Sequence, residues 1–160
     1  ENQQDDRQLV KVFFTVAPHD YNGQDTETLW ASVVTDMGLP DAYQLENSPF
    51  FYRGVSYQDI IEAKEVDSDG LSFVRILKKG GHSTYQLLVP KHAPRFAEFW
   101  QMLEDLGCTY EYGDEGEEFI YSVDVPPETN ISRVYAVLER GLRDKVWVFQ
   151  EAHVGHDLKR

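Results

Sequence analysis

Early in the chain, apolar residues recur at every second position. Val10, Val12, Phe14 and Val16 share one side of an extended segment from Leu9 to Val16, as a strand with one buried face requires. A turn cluster follows over 18–23, with Pro18, His19, Asn22 and Gly23, before Thr28 to Val34 reads as a second strand. After Gly38-Leu39-Pro40-Asp41, Ala42 to Leu45 is extended and runs into Asn47-Ser48-Pro49, where proline removes a ladder donor. Asp59 to Val66 and Leu71 to Leu77 pair as a hairpin around Asp67-Ser68-Asp69-Gly70, whose Asp-Gly step supplies positive φ. Lys78-Lys79-Gly80-Gly81 then turns the chain into Ser83 to Val89. Short strands with turns this close predict a bent antiparallel sheet or small β-barrel over 8–82.

The spacing changes after Pro90. Phe96, Phe99, Trp100, Leu103 and Leu106 recur at helical intervals behind Pro94, and Gly107 is a natural stop. Thr109 to Tyr112 and Phe119 to Val125 are strands again. Thr129 or Asn130 can cap a second helix with the stripe Ile131, Val134, Tyr135, Leu138 and Leu142, and Lys145 to His153 is a last strand. The order β-α-β-β-α-β over 83–156 predicts a ferredoxin-like unit, and the class is α+β. The boundary near Ser83 is soft, because that strand can serve both units.

Composition narrows the function classes. Hydrophobic residues make up 41% and aromatics 13%, ample for a core, so the chain is not globally disordered. No run of about 18 apolar residues exists, so no membrane helix is expected. Cys108 is the sole cysteine and reads as a small buried hydrophobe; with no disulfide and a polar start, the compartment expected is the cytoplasm. There are 28 acids against 15 bases, a net charge of −13, shared as −7 over 1–80 and −6 over 81–160. Such a field repels nucleic acid and anionic membranes and draws in basic partners. The basic pairs Lys78-Lys79 and Lys159-Arg160 are too few to track a phosphate backbone, and Trp147 reads as core rather than a stacking platform.

The densest charge is Glu111-Tyr112-Gly113-Asp114-Glu115-Gly116-Glu117-Glu118, five carboxylates in eight residues. Read functionally, Glu111, Asp114, Glu115, Glu117 and Glu118 form a negative loop that fills a partner's basic cleft; read plainly, they solvate a hairpin tip. No calcium loop is complete at Asp67-Ser68-Asp69-Gly70 or at Asp114-Glu115-Gly116. His153 and His156, with Glu151, could seed a metal or acid–base site, but zinc wants three or four convergent ligands. His19, His82 and His92 each adjoin Pro or Gly, as turn residues do. No G-x-S-x-G, G-x-G-x-x-G or P-loop motif is present, so no cofactor is expected.

The chain resembles a bacterial family, domain of unknown function 4265, over roughly residues 28–156. The likeness is carried by Leu29-Trp30-Ala31, Tyr43 to Phe50, Gly54-Val55-Ser56, Asp59 to Ala63, Gly81-His82-Ser83-Thr84, and the tail residues Trp147, Glu151, His153 and His156. It departs where the family's usual Gly-Asp pair is Gln58-Asp59, and where a basic residue is replaced near Tyr85-Gln86. The resemblance implies a soluble bacterial protein and carries over no catalytic residue. Small acidic proteins of this kind look similar to immunity partners of bacterial toxins. The expected function is therefore a non-enzymatic binding module that neutralises a basic protein, a cognate toxin. Phe50, Phe51 and Tyr52 serve as anchors if exposed. The alternatives are a small enzyme built on His153, His156 and Glu151, and a ligand-sensing regulatory domain.

Overall fold

The alternation that begins at Leu9 closes on itself. In the computed structural model, which describes residues 8–16, 26–66 and 70–158, β1 (Leu9–Thr15), β2 (Thr26–Val33), β3 (Ala42–Leu45), β4 (Ile60–Glu65) and β5 (Leu71–Lys78) form a closed barrel. The turn cluster with His19, the hairpin tip Asp67 to Asp69 and the pair Lys159-Arg160 lie outside the described residues. Each strand is antiparallel to the next, and β1 meets β5 in parallel at Val12↔Leu71. Closure leaves no strand edge open to another chain. Val12, Phe14, Leu29, Ala31, Leu45, Val55, Ile61 and Ala63 fill the interior. Phe14 stacks on Phe73 with ring centroids 4.8 Å apart.

The second half is β6 (Ser83–Pro90), α1 (Phe96–Asp105), β7 (Thr109–Glu115), β8 (Glu118–Val125), α2 (Ile131–Arg143) and β9 (Val148–His153). The four strands lie in the order β7-β8-β6-β9, every neighbouring pair antiparallel. With nine strands and two helices among the described residues, the chain is α+β. Phe99 and Leu103 of α1 and Val134 and Leu138 of α2 pack on Tyr85, Leu87, Val89, Tyr121, Val123 and Val125 of the two central strands. Trp147 and Cys108 belong to this core, and burial pushes the Cys108 thiol up to about 12.

Both helices end by closing their own carbonyls. After α1, Gly107 (φ +106) donates to Glu104 O and Cys108 to Leu103 O, the two-bond stop expected of a glycine there. Asn130, not Thr129, caps α2, accepting from the Arg133 amide at 3.2 Å; the Thr129 hydroxyl donates to Leu106 O. The same closure at the far end of α2 uses Lys145 (φ +60) and Val146. The last strand consequently starts at Val148, three residues later than the apolar pattern implies, and the Trp147 indole donates to Leu138 O while lying over Gly141.

The other face of the sheet holds the barrel's connection over 46–59. Its polar backbone is satisfied from both sides. Glu27 of β2 is buried and accepts the amides of Phe50 (2.6 Å), Phe51 (3.2 Å) and Tyr52 (2.8 Å). Ser122 Oγ donates to Pro49 O at 2.7 Å, and Gln86 Nε2 reaches both Pro49 O and Tyr52 O. Phe51 buries its ring with Val16 and Ile120, and Phe50 and Tyr52 pack against that cluster. Buried peptide groups must be paired, and here one carboxylate and one carboxamide do most of it.

Candidate functional site

The five carboxylates picked out by sequence are not a free loop. β7 continues to Glu115 and β8 begins at Glu118, leaving Gly116 and Glu117 as the turn, with Gly116 at φ +79. Strand alternation therefore divides them. Asp114 pairs with Phe119 in register, on the helix side of the sheet, where Lys91 Nζ lies 2.8 Å away and holds its carboxyl below the usual range. Glu111 is opposite Ser122 and faces the barrel side. Glu115 and Glu118 oppose each other directly, and Glu117 is exposed at the tip.

Glu111 reaches something the sequence did not announce: a cleft of ≈ 290 Å³ between β7 and the 46–59 connection. Glu46, Glu111 and Asp124 supply its carboxylates and Tyr57 its aromatic surface; Tyr110 borders it from β7, with its ring packed on Trp100 and Tyr121 on the helix side of the sheet. Each wall is fixed from behind. Glu46 Oε1 accepts from Ser32 Oγ at 2.7 Å, and Asn47 Oδ1 accepts the Trp30 amide at 2.8 Å, which extends the β2–β3 ladder by a side chain. Asp124 takes His82 Nδ1 on both oxygens, at 2.9 and 3.0 Å. Desolvation raises the Asp124 carboxyl, and the facing imidazole pulls it back. His82 is in turn edge-on to Tyr57, with centroids 5.1 Å apart.

The tail histidines are welded into the fold. A bulge between β6 and β9 at Thr84/Tyr85 pairs Thr84 with His153, turning that ring onto the barrel side. There Thr84 Oγ1 donates to Ser56 Oγ (2.7 Å), which lies 2.9 Å from His153 Nδ1. Desolvation lowers the His153 pKa, so near neutrality Nδ1 accepts from the serine. Asp59, fully buried, accepts the Ser56 and Gly80 amides at 2.9 and 2.8 Å and comes within 3.8 Å of His153. Serine and aspartate thus crowd one ring nitrogen, whereas a nucleophile relay needs them on opposite nitrogens. This cluster is a strut. His156 faces away from His153: its Nε2 donates to Pro126 O (2.8 Å) and its Nδ1 takes the Ser83 hydroxyl (2.6 Å), which accepts the Gly155 amide. Both of its nitrogens are occupied, and Glu151 is exposed elsewhere on β9. Among the described residues, no three His, Cys, Asp or Glu side chains gather as a metal site, and no helix is long and apolar enough to cross a membrane.

Sequence reasoning missed Glu27, Glu46, Asp59 and Asp124 as organising groups. The one signal available was position: Glu27 shares a strand face with Leu29 and Ala31, where a carboxylate needs a partner, whereas Asp124 shares its face with Ser122 and gave no such signal.

Residues 27–149 match the family model described as domain of unknown function (DUF4265), and the chain belongs to that family. Among curated proteins, none matches the sequence. Among solved structures, the chain is similar to a hypothetical protein from Neisseria gonorrhoeae, with TM-score 0.74 and 21% identity over 94% of this chain and 98% of that one. At that identity, the likeness concerns the fold alone.

Proposed function

We propose that the protein is an acidic binding module that neutralises a basic partner, an immunity-type inhibitor of a cognate bacterial toxin acting in the cytoplasm, and not an enzyme. The observation that carries this reading is the cleft that Tyr57 shares with the carboxylates Glu46, Glu111 and Asp124. Carboxylates beside an aromatic ring suit a lysine or arginine side chain, by charge and by cation–π contact. Glu115 and Glu118, on the same side of the hairpin as Glu111, and Glu117 at its tip extend the negative surface, where they raise the on-rate while the cleft sets affinity; Asp114 adds charge from the opposite face, beside Lys91. The strand order β7-β8-β6-β9 supports reading residues 83–156 as the ferredoxin-like module and 8–82 as the barrel beside it.

The test is binding to the product of the adjacent gene, followed by surface plasmon resonance at low and high salt. On this reading the on-rate falls at least about tenfold between 50 and 300 mM salt. Reversing Glu111, Asp114, Glu115, Glu117 and Glu118 together removes the interaction. A partner that binds this variant with unchanged kinetics and salt dependence overturns the reading.

A further inference from the structure

On the far side of the His82–Asp124 pair lies a second cleft, of ≈ 250 Å³ and opposite character, lined by Gln44, Gln58, Ile60, Lys78, Lys79, Gly80 and His82. Its lysines are anomalous. Acids outnumber bases 28 to 15 in this chain, yet neither Lys78 nor Lys79 forms an ion pair or hydrogen bond with any described residue. The nearby carboxylates are already taken: Asp59 is sealed behind Gly80 by two backbone amides, and Asp124 is held by His82.

His82 adds a fixed polar edge. Its Nδ1 is occupied by Asp124, and Nε2 makes no hydrogen bond; since no buried side-chain nitrogen or oxygen is unpaired among the described residues, Nε2 is open to solvent. The turn that brings these groups together is over-determined. A Cβ on Gly80 would stand 2.6 Å from Gln58 O, Gly81 has φ +92, and Gln58 itself sits at φ +71. Such strain is kept where surrounding structure requires it, often at binding sites.

We propose that this cleft binds a small oxyanion, a phosphate group or a carboxylate, between the Lys78 and Lys79 ammonium groups, with the Gln44 and Gln58 carboxamides and the His82 ring on its wall; Nδ1 holds its proton against Asp124, so Nε2 donates to the anion when the ring carries a second proton and otherwise accepts the hydroxyl of a protonated phosphate. Beyond about 8 Å the rest of the acidic surface is screened at physiological salt, so the two local cations dominate at the site. The ligand is small because the cleft holds a phosphate with a few attached atoms and little more. The site is separate from the partner-binding surface and does not depend on it.

The test titrates the full chain with inorganic phosphate and, separately, with acetate, at constant ionic strength, following backbone amide and histidine-ring signals by NMR. Saturable shifts centred on Lys79 to His82 are expected, weakened at least tenfold in Lys78→Gln/Lys79→Gln and unchanged in Lys64→Gln. The two lysine side chains make no hydrogen bond or ion pair with described residues, and Lys79 acts on His153 only through its charge, so an unchanged melting temperature of the double variant at pH 7.5 verifies its integrity. Saturation by phosphate alone assigns a phosphate ligand; saturation by both assigns the wider oxyanion class. Shifts that stay linear in both titrations, or that persist in the double variant, overturn the site.

Discussion

His82 Nδ1 bridges both carboxylate oxygens of Asp124, at 2.9 and 3.0 Å, and the pair forms the wall between an acidic cleft and a basic one. Both side chains are largely withdrawn from water, at 15% and 12% exposure, so each is costly without the other. A double-mutant cycle of His82→Gln and Asp124→Asn, read by urea denaturation, is expected to show a coupling of about 1–2 kcal/mol. A coupling near zero would mean that solvent competes freely for both groups.

Glu27 is the second prediction. One buried carboxylate accepts three consecutive amides, so burial, which raises its pKa, is opposed by all three bonds. Glu27→Gln keeps the shape but turns an NH2 group toward N–H donors. Charge-assisted bonds are replaced and at least one amide is left unpaired, costing about 2–4 kcal/mol. The loss should appear as a lower denaturation midpoint with an unchanged slope. Accelerated amide exchange at Phe50 to Tyr52 should accompany it.

Much of the fold was legible because it is local. Period-2 alternation marked β1, turn residues bounded the strands that follow, helical spacing marked both helices, and Gly107 and Asn130 did what their chemistry predicts at helix ends. What was illegible depends on pairs distant in sequence: His82 with Asp124, Ser56 with His153, Glu27 with the 50–52 amides. His153 is the clearest case. Simple alternation along β9 would carry it past Thr84, and only the bulge turns it onto Ser56. The acidic segment was legible as charge but not as a surface, because alternation sends Asp114 to one face of the sheet and Glu111 to the other.

Three described residues other than glycine hold a left-handed conformation that disfavours side chains, Asp41 (φ +60), Gln58 (φ +71) and Lys145 (φ +60). Gln58 precedes the buried Asp59, and Lys145 closes α2. Gln58→Gly and Lys145→Gly are each expected to stabilise the protein by about 0.5–1 kcal/mol, the strain relieved less the added freedom of the unfolded chain. Gly141 behaves oppositely. Alanine there is the better helix former, yet its Cβ would enter the Trp147 ring, so Gly141→Ala should destabilise by about 1–3 kcal/mol. Thermal denaturation of the three variants separates the two effects by sign.

Stability should fall as the solution is acidified from pH 7. His153 has its pKa depressed by burial, so its ordinary pKa of 6.5 applies only to the unfolded chain. Below that value the unfolded state binds a proton the folded state does not, and stability declines by up to about 1.4 kcal/mol per pH unit until the folded pKa is passed. Raised carboxyls at Glu27 and Asp124 act in the other sense, but only nearer the carboxylate range. His153→Gln should flatten the slope between pH 7 and 5.5, measured by urea denaturation at each pH. An unaltered slope would assign the dependence to another group.

Glu115 and Glu118 face each other across the last rung of the β7–β8 hairpin, both half-buried. Like charges directly opposite on a sheet repel, and nothing in the fold requires them there. Glu118→Lys converts repulsion into attraction and should raise stability by about 0.2–1 kcal/mol, with the larger gain at low salt. If the carboxylates serve association, the same substitution slows capture of a basic partner while making the protein harder to unfold. A variant gaining stability with no loss of on-rate would leave the hairpin charge as solvation of an edge. Opposite signs in the two measurements would place the hairpin on the association surface, where stability is commonly sacrificed for function.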